Sequence, residues 1–345
     1  MNPQSRNRQL SRELDELLRE GLLSATTHAQ LRQRYPTQGW DWRSLGRWFL
    51  LFGALSVIVG LAILGRTLFD FTLEKLAVVQ GLGILASFGG AYWLKHNRPS
   101  LAWSAASLEL LGGLGLIGLT FNLGAILATG SGNWPALLLI DLVLLIGLSY
   151  ELRNAWLLTL SAVVFFCWFG GFTGYASGWG AYWFGMGYPL RFLAAAVVIV
   201  AIAVIHQQSE SGPLAPFRGF FKVWLSSGLF FAEMALWLLS LFGNFNLENQ
   251  RWHLASGAEL LVFNGFWAAL NVALIGLGAR LALRMLTAYG ATFLIIQLYT
   301  LFFAHLASAL GLPLSLLVAG GGALALTFYL ERWRRERGRA ETAGG

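Results

Sequence analysis

The sequence predicts an all-helical, polytopic integral membrane protein of about ten transmembrane helices, with a short cytoplasmic N-terminal helical hairpin. Three observations carry that fold class. The 345 residues are 56% hydrophobic and only 12% charged, with mean hydropathy +0.60, roughly half the charge of an ordinary soluble domain. The apolar residues fall in runs close to the ~20 that a hydrocarbon core of about 30 Å requires. The basic residues gather in alternate gaps between those runs, as short cytoplasmic loops do.

Residues 1–44 read as the helical hairpin. Ser11 can cap a first helix whose opening turn carries Glu13, Asp15 and Glu16, favourable at a helix N-terminus. Leu10, Leu14, Leu17 and Leu18 form its apolar stripe, and Gly21 ends it. Ser24 can cap a second helix that runs to Tyr35 and stops at Pro36. Helices this short bury little, so they are expected to dock on a protein partner, on each other or on the membrane face. Trp40, Trp42 and Trp48 then lead into the first span at interface depth.

The expected spans are 47–64, 76–94, 104–128, 134–150, 155–173, 190–206, 219–243, 257–278, 285–305 and 312–330. The bundle thus occupies 45–330, and 331–345 is a basic cytoplasmic tail. The outer loop 170–189 is uncharged and aromatic, with Phe172, Tyr175, Trp179, Tyr182, Trp183, Phe184 and Tyr188. It reads as an interfacial belt; a re-entrant segment or a platform for a lipid or sugar is the alternative. Spans three and four end in Tyr150, Glu151, Leu152, Arg153, and spans nine and ten end in Tyr329, Leu330, Glu331, Arg332. That echo suits a repeat, and equally the ordinary chemistry of a helix leaving a bilayer.

Only Arg66, Lys75, Arg191 and Arg251 of the 24 basic residues fall on the outer side of this topology. Both termini are therefore expected in the cytoplasm. The same sorting disposes of nucleic acid as a partner, despite a net charge of +7 and a pI of 9.9, because the cations flank spans rather than cluster on a soluble face. One cysteine, Cys167, excludes a disulfide framework and a Cys-based metal site. His28, His96, His206, His253 and His305 have no ligand-like spacing, so neither metal nor cofactor is expected. No apolar stretch opens the chain, which makes the first span an uncleaved anchor.

Polar residues inside the spans are the candidate site. Asp141 and Glu233 lie near mid-depth in spans four and seven, and Glu109 lies nearer the cytoplasmic side of span three. Asp141 sits among Leu137, Leu138, Leu144, Leu145 and Leu148, where a carboxyl should face protein and carry a proton. Glu109, Gly113, Thr120 and Gly124 share a face that admits a close neighbour. Asn264 and Asn271 are seven apart on span eight, and Gln297 lies near mid-depth in span nine. Glu259, at the outer end of span eight, can reach water; Lys222 and Arg191 can snorkel. No span carries a cation at mid-depth, so the interior set of acids and amides suits a proton or cation better than an anion. The structural alternative is interhelical hydrogen bonds worth about 1 kcal/mol each.

"ELDELLREGLLSATTHAQLRQRY", followed by "LFGALSVIVGLAIL", resembles a bacterial multi-pass membrane family, domain of unknown function 2157. There a helix ends in a Gly-Leu-Ile-Ser-like turn, here Gly21, Leu22, Leu23, Ser24, and a second helix ends near a Tyr, here Tyr35. The stretch from span three to span five is also similar to the family's middle section. The chain departs where the family often has a Gln-x-Tyr-His-like motif, here Thr120, Phe121, Asn122, Leu123. It departs again at an Asn-Trp pair after span one, here Leu64, Gly65, Arg66. The resemblance implies a protein of the bacterial cytoplasmic membrane and brings no catalytic residue.

No Walker loop, H-E-x-x-H or Gly-x-Ser-x-Gly occurs, and the Gly clusters lie inside apolar spans. A non-enzymatic role is favoured, with an Asp141–Glu233 acid pair as the one enzymatic alternative. Two functions are expected from different classes. One is a transporter or a proton- or small-molecule-binding protein using Asp141, Glu233 and Glu109. The other is a membrane scaffold or signalling partner acting through the N-terminal hairpin.

Overall fold

The computed structural model describes Leu10 and residues 13–34, 72–127, 132–178, 182–244 and 255–305, with six further positions between 311 and 321. Among these, eight helices are long and apolar enough to cross a membrane. With α1 taken as Ala25–Arg34, they are α2 (Leu73–Asn97), α3 (Ala102–Ile126), α4 (Trp134–Glu151), α5 (Ala155–Ala176), α6 (Tyr188–Ser209), α7 (Phe220–Phe242), α8 (Gly257–Arg280) and α9 (Arg284–His305). They coincide with expected spans two to nine, with ends shifted by no more than three residues. Expected spans one (47–64) and ten (312–330), residues Trp40, Trp42 and Trp48, the tail 331–345, and the Tyr329–Arg332 half of the echo lie outside the described residues.

The chain divides into two units, 1–116 and 117–345. In the first, residues 13–19 are helical, and Gly21 at φ 72° turns the chain. A left-handed backbone there suits glycine, and the Leu22 N–H closes the turn on Leu17 O at 3.0 Å. Ser24 caps α1 by accepting from the Thr27 N–H at 3.2 Å. His28 Nε2 lies 2.8 Å from Asp15 Oδ1, joining α1 to the segment before it. Further along, α2 and α3 meet where small residues let them: Gly112 faces the Phe88 ring, and Gly115 faces Ile84.

In the second unit α7 is the central and most buried helix. It packs against α5, α6, α8 and α9. Phe166 of α5 stacks on Phe231 of α7 with ring centroids 3.6 Å apart, inside a core that also takes Ala196 and Ile199 of α6 and Leu274 of α8. Gly228 of α7 sits against the α6 backbone, 3.1 Å from Ala196 O were it given a Cβ.

The α4–α5 and α8–α9 hairpins turn alike. Each has a single non-glycine residue in the left-handed region, Arg153 at φ 51° and Ala282 at φ 52°. In each, the next N–H reaches back over the turn, Asn154 N–H to Ser149 O at 2.9 Å and Leu283 N–H to Gly278 O at 3.0 Å. Shifted by 129 positions (Arg153 to Ala282), the buried faces superpose: Leu138, Leu142, Leu145 and Ser149 correspond to Trp267, Asn271, Leu274 and Gly278. The internal likeness thus joins spans four and five to spans eight and nine, a pairing the Tyr-charge echo did not suggest.

The aromatic loop is shorter than expected, because α5 runs to Ala176 and takes in Phe172 and Tyr175. Its described remainder is a tight turn, Trp183 and Met186 exchanging backbone hydrogen bonds of 3.2 and 3.1 Å. Phe184 stands exposed at the tip, at φ 51°.

Candidate functional site

Residues 226, 233 and 240 lie on one face of α7, because steps of seven residues return to nearly the same angle, and Asn244 follows just past the end of the helix. Each carries a polar side chain, and each meets a group on α8 or α9 or in the loop beyond. Ser226 Oγ lies 2.8 Å from the Tyr289 hydroxyl of α9. Glu233 Oε2 accepts from Trp267 Nε1 of α8 at 2.5 Å. The Ser240 carbonyl accepts from Asn264 Nδ2 of α8 at 2.9 Å, and Gln297 Nε2 of α9 donates to Asn264 O at 2.8 Å. At the helix end the Asn244 N–H donates to Glu259 Oε1 at 2.7 Å. From Ser226 to Ser240 is about 21 Å at 1.5 Å per residue, roughly two-thirds of the hydrocarbon thickness.

Three side chains on this face keep unanswered polar atoms. Glu233 is fully buried, and its Oε1 has no hydrogen-bond partner among the described residues. Asn271, one turn from Trp267 towards Ser226 and Tyr289, is also fully buried, with neither Oδ1 nor Nδ2 bonded. The Gln297 carbonyl is likewise unbonded. Such groups are costly in an apolar interior, and no described cation stands against Glu233. The helices press together here because Gly290 has no side chain. A Cβ on it would come within 2.5 Å of Asn271 O.

Of the six polar residues picked out in the sequence, four (Glu233, Asn264, Asn271 and Gln297) fall on this one α7–α8–α9 face. The other two stand elsewhere. Glu109, two turns into α3, is buried in an ion pair with Lys95 at the end of α2, 2.5 Å away. Asp141 is fully buried on α4. Neither of its oxygens makes a hydrogen bond of good geometry, and Thr120 of α3 faces the carboxyl. The three carboxyls therefore have three different environments.

Ser226, Ser240, Trp267 and Tyr289 are the members missed in the sequence. Ser226, Glu233 and Ser240 are spaced by sevens, as are Asn264 and Asn271, and matched heptads on neighbouring spans were the available signal. Glu259 reaches a neighbour as well as the helix end, bonding Asn244. Arg191 departs from expectation. It does not snorkel but is fully buried, its Nε donating to Met186 O at 2.9 Å and its guanidinium 4.4 Å from the Tyr188 ring centroid. The turn 183–186 folds against the start of α6, so the side chain meets a carbonyl before it can meet water. Lys222 stays exposed, as snorkelling requires.

A shallow apolar groove beside this face, lined by Trp237, Leu241, Ile296, Tyr299 and Phe303, carries no acid. Among the described residues no cluster of His, Cys, Asp and Glu could hold a metal ion. No family model matches the chain, no curated protein matches it, and no solved structure matches it.

Proposed function

We propose that this is a multi-pass protein of the bacterial cytoplasmic membrane, with both termini on the cytoplasmic side, that carries protons across the bilayer along the polar face of α7. Glu233 is the group that takes up and releases the proton. The observation that carries this reading is the unbonded Oε1 of a fully buried Glu233 on the most enclosed helix. A bare carboxylate at that depth costs several kcal/mol, and the face offers polar atoms but no counter-cation. Its rungs are one to two helical turns apart, and the shorter gaps are ones a single water bridges. Trp267 fixes one carboxyl oxygen and leaves the other to exchange. Membership of the family of unknown function belongs to the same proposal.

The test is proton uptake into liposomes that hold the purified protein and a pH-sensitive dye, driven by a potassium diffusion potential. Wild type should acidify the lumen faster than empty liposomes, Glu233→Gln should abolish the difference, and Glu233→Asp should keep part of it. Wild-type uptake equal to that of empty liposomes would sink the reading.

A second reading, docking of a protein partner on the N-terminal helices, is favoured by the exposure of Leu17 and Leu22 there. Deleting residues 1–34 should then remove that binding and leave proton uptake unchanged.

A further inference from the structure

We propose that the end of the second unit where α7 begins is a docking surface for the phosphate headgroups of anionic phospholipids. Three turns meet at this end. Tyr150, next to the α4–α5 turn, packs edge-on against Phe217 and Phe220 of the α6–α7 connection, with centroids 5.0 and 5.3 Å apart. Leu283, Met285 and Leu286, from the α8–α9 turn, pack into the same core as Phe220 and Phe221. The turns bring together Arg153, Arg218, Lys222, Arg280 and Arg284, all exposed. None of the five forms an ion pair with a described residue.

The acids of these turns do not neutralise them. Glu210 is buried, and its Oε1 accepts the Gly219 N–H at 3.0 Å and the Phe221 N–H at 3.2 Å, with His206 Nδ1 at 3.1 Å. It is committed to the start of α7. Glu151 is the one exposed acid in these turns. Cations at the end of a span attract anionic headgroups.

The apolar neighbours distinguish a lipid from a free anion. Trp156 is 38% exposed beside Arg153, and Leu281 is 59% exposed between Arg280 and Arg284. A phospholipid puts a phosphate on the cations and acyl chain on these side chains, whereas inorganic phosphate uses only the cations. Arg153 also holds a left-handed backbone position that glycine would occupy at less strain.

The experiment offers the purified full-length protein, stripped of lipid in non-ionic detergent, equimolar phosphatidylglycerol and phosphatidylcholine, and reads retained lipid by native mass spectrometry. Phosphatidylglycerol should be retained in preference. The preference should fall by about fivefold for each of Arg153→Gln, Arg218→Gln, Lys222→Gln, Arg280→Gln and Arg284→Gln, and should survive replacement of the four arginines by lysine. Equal retention of the two lipids by wild type overturns the proposal without any variant. So does a preference that survives all five glutamines, or displacement of phosphatidylglycerol by inorganic phosphate at the same concentration.

Discussion

The α4–α5 and α8–α9 hairpins share a turn, a register and a buried face, yet they treat polarity differently. In α8–α9 the buried face holds Trp267, Asn271 and Gln297, which line up with Glu233 of α7. In α4–α5 the matching positions 138 and 142 are both leucine, and the one buried acid, Asp141, falls where α8 has Leu270. The small residue opposite also differs. Gly290 of α9 lets α8 approach to backbone contact. Its counterpart Ser161 of α5 turns its hydroxyl onto Leu157 O at 2.8 Å. A common helical hairpin thus sets which positions are buried, while the residues placed there decide which polar groups the buried face carries and where.

The contrast can be broken at several points. Gly290→Ala should be the most damaging, costing about 3 kcal/mol, because the new methyl meets backbone rather than a yielding side chain. Ser161→Ala should cost no more than about 1 kcal/mol. Unfolding of the two variants in mixed micelles checks the pair, and equal losses would remove the distinction. Asp141→Leu should stabilise the protein by about 2 kcal/mol, since a buried carboxyl without good hydrogen bonds gives way to the residue its partner hairpin uses. A loss of stability instead would show that Asp141 has a partner of real strength. Trp267→Phe removes the bond to Glu233 and should cost about 1 kcal/mol, while slowing proton uptake far more than Trp156→Phe does. Smallest of all, Ala282→Gly should gain up to about 1 kcal/mol in melting experiments by relieving a left-handed alanine.

The spans were readable because burial in lipid demands long apolar runs, and eight of them appear within three residues of their expected limits. Turn chemistry was readable where the residue type is diagnostic, as with Gly21 and Ser24. It was not readable at Arg153 and Ala282, since neither residue type advertises a left-handed backbone. Individual polar residues could be picked out by their depth, but their grouping could not, because it depends on which helices become neighbours. Glu109 looked like a companion of Asp141 and Glu233 until Lys95, placed at the end of α2, claimed it. Hydropathy treats every span alike, so the central place of α7 was hidden as well.

Asn244 has a consequence for motion. Its side chain accepts the Gly187 N–H and donates to Gly185 O, its carbonyl accepts from the Tyr182 hydroxyl at 3.0 Å, and its N–H holds Glu259. One residue therefore stitches the α5–α6 turn to both α7 and α8 at a single end of the unit. The opposite end is closed by ring packing, the Glu210 cap, and hydrogen bonds from Trp224 to Tyr150 and between Ser226 and Tyr289. Any separation of α7 from α8 and the α5–α6 turn at the Asn244 end therefore has to break the bonds of Asn244 together.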